Sequence, residues 1–284
     1  MFRKGIHSLR PSRYTDQQIV VQVDNRLVIF DTAKNQSPVD LHIMPRGRRV
    51  LRRGWCEADA VTVLVGEYWP NYGRESVVVY SLDLVSISSE RHAFEKGQIR
   101  HIHALEFDAF TQKVWIATGD ADSECIIGQL DGSGRLENIV GQGAQRWRTV
   151  GFAFFSDAVY WGSDNHAGKN QIWRYDRSTS TVESMGSVTG PVYYNTDLPE
   201  HVIFSTAMEN GEGDQDGYSR LYALDIAQGE VVEVRRELKD RWSPMWFGYG
   251  LFEFAEGSLG DNRFWVTAKG LKGGLRSELL ELVV

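Results

Sequence analysis

One pattern limits what this chain can fold into: short apolar runs, broken by turn residues, that recur in groups about 45 residues long. Residues 17–45 carry QIVVQV, RLVIFD and VDLHIM; residues 49–94 carry RVLRRG, AVTVLVGEY, SVVVYSL and LVSISSERHAF. Residues 100–140 carry RHIHALEFDAF, KVWIATGD, CIIGQ and RLENIV. Residues 147–188 carry WRTVGFAFF, AVYWGSD, QIWRYD and TVESMGSV, and residues 191–237 carry PVYYNTD, HVIFSTAME, RLYALD and EVVEVRRE. Residues 246–284 carry WFGYGLFEF, RFWVTAKG and SELLELVV. Alternation of apolar and polar residues over such lengths, with β-branched and aromatic enrichment, reads as antiparallel strands joined by tight turns. No convincing amphipathic helix interrupts them. Four strands per repeat is the grammar of a propeller blade. The expected fold is therefore all-β, a β-propeller of four-stranded antiparallel blades with residues 1–284 as a single domain. Six blades is the count; five is the alternative, since the first and last groups are incomplete. The segment Phe2–Ser8 is expected to supply the missing outer strand of the last blade. A sandwich would not show so regular a long repeat.

Charge and composition narrow the function classes. The net charge is −7 and the pI near 5.6, with no basic run longer than RGRR and LRR around residues 46–53. Phosphate backbones need a basic footprint, so nucleic acid is not an expected partner. No apolar run of roughly 18 residues is present, so no membrane span is expected. The opening residues lack the apolar core of a secretory signal, which makes the cytoplasm the expected compartment. Cys56 and Cys125 stand far apart in no metal-type spacing, and no disulfide framework is indicated. Nine tryptophans suit a β core and also suit stacking against sugars.

The candidate site follows from the repeat. The exit of the second strand carries Glu67, Asp120, Asp164 and Glu209 in successive groups. Near the start of the first strand stand Arg52 and Arg53, then His103, Arg148, and Tyr193 or Tyr194. In a propeller these positions share one face, so carboxylates are expected beside imidazole, guanidinium and phenol groups. Acidic residues at strand ends often do no more than cap turns, but recurrence at one blade position favours a shared role for the set. His101 and His103 lie two apart and on one side of a strand. With Asp120 they are candidates either for a divalent metal ion or for acid–base work. His166 and Asn170, in the following loop, are candidate substrate contacts, as are Arg148, Tyr193, Tyr194 and Glu209. The acidic stretch ENGEGDQDG at 209–217 lacks the spacing of a calcium loop and reads as a rim.

The runs RHIHALEFDAFTQKVWIATGDADSEC, VGEYWPNYGRESVVVYSL and RWRTVGFAFFSDAVYWGSDNHAGKNQIWRYDR carry a resemblance. The chain resembles bacterial sialidase-like, BNR-repeat, glycosyl-hydrolase-like β-propellers, often encoded among genes for capsular or exopolysaccharide synthesis. The resemblance implies a carbohydrate site drawing on Glu67, His101, His103, Asp108, Asp120, Glu124, Arg148, Asp164 and Asn170. The repeat that names that group is degenerate: QLDGSGRLE keeps Asp131, Gly132 and Gly134 but has no Trp. The three spaced arginines with which a sialidase clamps a carboxylate are also missing.

Two classes of function remain open. A carbohydrate-active enzyme could be a glycosidase, pairing Asp120 with Glu67 or Asp164. It could equally be a lyase on uronate chains, with His101 or His103 as base, a tyrosine as acid and Arg148 or a cation neutralising the uronate. The other class is a non-catalytic propeller that binds a glycan or nucleotide-sugar, or serves as a scaffold. In every case a carbohydrate is the expected ligand.

Overall fold

The computed structural model describes residues 6–15, 17–33, 37–86, 88–209, 211–212, 214–244 and 248–283. The fold is an all-β propeller of six antiparallel blades. Its contacts gather into two compact units, residues 1–147 and 148–284. Among the described residues no helix is long and apolar enough to cross a membrane.

The first unit holds three four-stranded blades. Blade 1 is Ile6–Pro11, Gln18–Val23, Arg26–Asp31 and Val39–Ile43. Blade 2 is Trp55–Glu57, Thr62–Gly66, Val77–Asp83 and Ser88–Phe94. Blade 3 is Ile102–Asp108, Lys113–Thr118, Ile126–Leu130 and Leu136–Gln142. Middle strands bury both faces, as KVWIAT does from Val114 to Thr118, whereas fourth strands such as Ser88–Phe94 are largely exposed. Blades 1 and 2 pack through Val20, Leu27, Trp55, Val63, Val65 and Tyr80, and blades 2 and 3 through Leu64, Val79, Ile102, Leu105 and Ile116. Burial of these apolar faces supplies the main driving force for stacking the sheets.

The second unit holds blade 4 (Ala153–Phe154, Ala158–Gly162, Asn170–Asp176, Val182–Val188) and blade 5 (Val192–Asp197, His201–Thr206, Tyr218–Asp225, Val231–Leu238). Blade 6 shows three strands among the described residues, Leu251–Phe254, Arg263–Lys269 and Arg276–Glu281. Blades 4 and 5 share a core of Tyr160, Ile172, Val192, Val202 and Phe204; blades 5 and 6 share Ile203, Leu221, Phe252, Phe254 and Val266.

Two expectations about strands need correction. Ile6–Ser8 do not complete blade 6; the strand Ile6–Pro11 pairs with Gln18–Val23 and is the first strand of blade 1. It is held there because Trp55 Nε1 donates to Ser8 Oγ at 3.1 Å and Arg10 donates to the carbonyls of Trp55 and Arg52 at 2.7 and 2.8 Å. Phe2–Gly5 lie outside the described residues. The first strand of blade 2 is WCE, Trp55–Glu57, and not RVLRRG. Arginines of that run are engaged elsewhere, Arg53 with Glu106 at 3.2 Å and Arg49 over the Tyr68 ring at 4.9 Å.

Candidate functional site

The first unit brings His101, His103 and Asp120 into one cluster. The first two strands of blade 3 pair regularly from Lys113–Asp108 to Ala117–Ala104, and the register then slips so that Thr118 faces Ile102. His103 is the extra residue at this bulge, and bulges re-aim side chains at the ends of sheets. Both imidazoles turn inward, His101 2% and His103 3% exposed. Their Nε2 atoms stand 2.9 Å apart, and Asp120 Oδ1 lies 3.3 Å from each.

Each member is held by named partners. The His101 Nδ1 atom faces the Trp69 carbonyl at 2.9 Å. A carbonyl only accepts, so Nδ1 carries the proton. The Tyr68 ring stacks on the His101 ring with centroids 4.1 Å apart, and Arg49 lies 4.9 Å above Tyr68. Asp120 follows Gly119, whose φ of +85° makes the turn out of the strand and whose N–H donates to the His101 carbonyl at 3.1 Å. The second carboxylate oxygen of Asp120 accepts from Arg100, and its carbonyl accepts from Gln145 Nε2 at 2.8 Å.

The donor set is chemically apt for a cation. Bonds of about 2.1 Å meeting at right angles place ligand atoms about 3 Å apart, close to the separations found here. Two histidines and one carboxylate on one side of an ion leave further positions open. The Trp69 carbonyl on His101 Nδ1 is the outer partner that fixes a ligating imidazole.

Glu67 is committed elsewhere. It is fully buried, Arg48 donates to its carboxylate, Tyr80 Oη donates at 2.8 Å and the Val78 N–H at 2.9 Å. Its contribution to the cluster comes through the backbone: its carbonyl accepts from the Ile102 N–H at 3.0 Å, and the residues that follow it are Tyr68 and Trp69. Asp108 and Glu124 also serve the loops. Asp108 accepts from the Phe110 N–H at 3.0 Å and the Thr111 hydroxyl at 2.6 Å, while Glu124 pairs with Arg74 and faces the N–H groups of Asp120 and Ala121 at 3.4 Å.

The second unit places the other candidates. Asp164 is buried, 3.3 Å from Arg148 Nε, and Arg148 Nη1 lies 3.4 Å from His166 Nδ1. Asn170 holds its own loop together, its amide donating to the Asn165 carbonyl at 2.7 Å and accepting from the Asn165 N–H at 2.8 Å. Tyr193 Oη donates to Glu209, and its ring meets Tyr194 and Tyr249 edge-on at 6.2 and 6.1 Å. In the 209–217 stretch Asp216 pairs with Arg220, and Asn210 and Gly213 lie outside the described residues.

Sequence reasoning missed Tyr68, Trp69 and Arg100. The signal was the blade repeat itself: the residue leaving one second strand binds the first strand of the next blade. Glu67 to Ile102 in the first unit is matched by Ser163 to Val192, also 3.0 Å, in the second.

No family model matches the chain, and no curated protein matches it. Solved structures do. An oligogalacturonate lyase in complex with manganese superposes with a TM-score of 0.60 at 14% identity, covering 94% of this chain and 74% of that one. An oligogalacturonate lyase from Vibrio parahaemolyticus gives 0.56 at 11% identity, covering 94% and 75%. A structure described as a putative TolB from Agrobacterium tumefaciens gives 0.51 at 14% identity, covering 84% and 83%. These likenesses concern the fold. They overturn the resemblance to sialidase-like, BNR-repeat propellers, and the capsular and exopolysaccharide setting falls with it. The physical reason is that strand alternation and blade length are common to all propellers, so a degenerate repeat cannot separate one kind from another.

Proposed function

We propose that this chain is a divalent-cation-dependent enzyme acting on a uronate-containing oligosaccharide by elimination. The reading is carried by one observation: two imidazole nitrogens and a carboxylate oxygen stand 2.9 to 3.3 Å apart, with His101 fixed in the tautomer that leaves Nε2 free to ligate. The fold likeness to an oligogalacturonate lyase solved with manganese supports it. His101, His103 and Asp120 would hold the ion. A bound cation would supply charge that neutralises the sugar carboxylate and acidifies the proton on the adjacent carbon; that proton would pass to a water-derived base, and the glycosidic oxygen would leave from the next carbon, taking a proton from water, to give the unsaturated product. The chain's own part is to hold the three ligands: Trp69 orients His101, Tyr68 covers it, and Arg100 fixes Asp120.

The glycosidase alternative loses support because it needs a free second carboxylate opposite Asp120. Glu67 is bound by Arg48, Tyr80 and Val78, and Asp164 is paired with Arg148. The reading reassigns the histidines from base to ligand.

The test is incubation of the manganese-loaded protein with oligogalacturonate, following the ultraviolet absorbance of an unsaturated product. Product that disappears on chelation and returns with added manganese supports the reading. Cation binding without product leaves a non-catalytic cation-binding propeller in its place. No cation binding at all overturns it.

A further inference from the structure

The turn leading out of Trp69 exposes Tyr72 more than any other large apolar residue of the first unit among the described residues, at 81%. An exposed ring on a loose loop would be unremarkable, but this turn is pinned on every side. Asn71, buried, donates to the carbonyls of Arg100 at 2.7 Å and Glu75 at 3.0 Å and accepts from the Glu75 N–H at 2.8 Å. Asn71 and Arg74 both adopt positive φ, 33° and 51°, a conformation asparagine readily accepts in turns and arginine rarely does. Arg74 is anchored on Glu124, and its Nη1 reaches the Tyr72 carbonyl at 3.3 Å. The chain thus anchors the turn that presents the Tyr72 ring to solvent.

What lies beside the ring gives it meaning. The Arg100 guanidinium stands 5.1 Å from the Tyr72 ring centroid, donates through Nε to the Pro70 carbonyl at 2.8 Å and through Nη1 to Asp120. Its Nη2 makes no bond among the described residues. Arg49, stacked over Tyr68, has no acidic partner among the described residues either. An exposed aromatic face on an anchored turn, two guanidinium groups with donors to spare and the His101–His103–Asp120 cluster therefore lie in one continuous series of contacts. In a chain of net charge −7, such a local grouping of cations is a requirement for holding an anion.

We infer that Tyr72 is a stacking platform for an acidic sugar ring, with Arg100 receiving its carboxylate, so that this turn forms a binding subsite for carboxylated oligosaccharides next to the cluster. The inference deepens the functional reading above and rests on it only for the choice of a uronate as ligand. Aromatic rings bind the apolar face of a sugar while guanidinium groups select carboxylate geometry, and an anchored turn spends little ordering entropy on binding.

The experiment is calorimetric titration of the full chain with a galacturonate trimer and with a neutral glucose trimer, with manganese and with chelator. Tyr72→Ala is expected to weaken galacturonate binding about tenfold while leaving the melting temperature and cation binding unchanged, and Tyr72→Trp to preserve it. The wild type is expected to prefer the charged trimer. Equal affinity of Tyr72→Ala and wild type overturns the subsite, as does equal binding of both trimers or no binding of either. If the cluster takes up no cation while Tyr72 still governs trimer affinity, the cation reading falls and the subsite stands.

Discussion

His101 gives its Nδ1 proton to the carbonyl of Trp69 at 2.9 Å, and this one bond decides what the opposite side of the ring can do. In the neutral ring the proton on Nδ1 leaves a lone pair on Nε2, aimed at His103 Nε2 and Asp120 Oδ1. A lone pair so placed is a ligand. His101→Ala, His103→Ala and Asp120→Asn are each expected to weaken manganese binding by about 100-fold or more, read by calorimetry. Asp120→Asn is the sharpest of the three because it keeps the shape and removes the charge. Retained affinity in that variant would mean that the carboxylate is no ligand.

Gly119 is the hinge on which Asp120 hangs. Its φ of +85° lies where a Cβ is strained, and an added Cβ would collide with the Glu124 carbonyl. Gly119→Ala is expected to destabilise the fold by about 2 kcal/mol and to cost cation affinity as the turn is pushed out. Chemical denaturation and calorimetry on the same variant read the two effects. Unchanged cation affinity would show that the turn relaxes without moving Asp120.

How much of this was written in the sequence differs from residue to residue. The blades were legible because alternation has a period of two and the blade length repeats. Asp120 and the histidine pair were legible because a chain that turns once returns its strand ends to the same edge. Tyr68, Trp69 and Arg100 were not, because they act across the junction of blades 2 and 3, and nothing local in VGEYWP says which strand start it will meet. Glu67 was legible as a position, but its engagement by Arg48, Tyr80 and Val78 was not. Its partner is Arg48, from the segment that precedes the first strand of blade 2, and a buried pair of that kind looks like any strand-end acid until the partner is seen. The strand Ile6–Pro11 was misplaced for a related reason: its edge pairing depends on Ser8 and Arg10 meeting Trp55, contacts with no sequence periodicity.

Glu67 is accordingly a structural residue in its predicted behaviour. Glu67→Gln leaves Arg48 facing a neutral amide and removes an acceptor from Tyr80 or Val78. The expected loss is about 3 kcal/mol of stability, at the lower end for a broken buried pair because Arg48 is partly exposed. Cation affinity measured well below the melting transition should stay close to wild type. A variant with normal stability and no activity would instead restore Glu67 to the chemistry.

The same network sets a limit in alkali. The Tyr80 hydroxyl is pushed up to about 12 by burial and by its bond to Glu67, and the Cys56 thiol is pushed up to about 12 by burial. In the unfolded chain these groups release their protons near 10.0 and 9.0. Between those values and about 12 the folded state binds more protons than the unfolded one, so stability falls as pH rises. The contribution of each group is complete below its unfolded value and is lost progressively as the pH climbs toward 12. Denaturant midpoints are therefore expected to drop between pH 9 and 11, at up to about 1.4 kcal/mol per pH unit for each group while it titrates. Cys56→Ala should flatten the slope from pH 9 upward, and Tyr80→Phe only above pH 10. Tyr160, also raised by burial, remains in both variants and keeps some slope in each. Two variants with the wild-type slope throughout would mean that neither group stays protonated in the folded chain. The interior around Trp55 and Glu67 would then be open to water in a way its contacts do not allow.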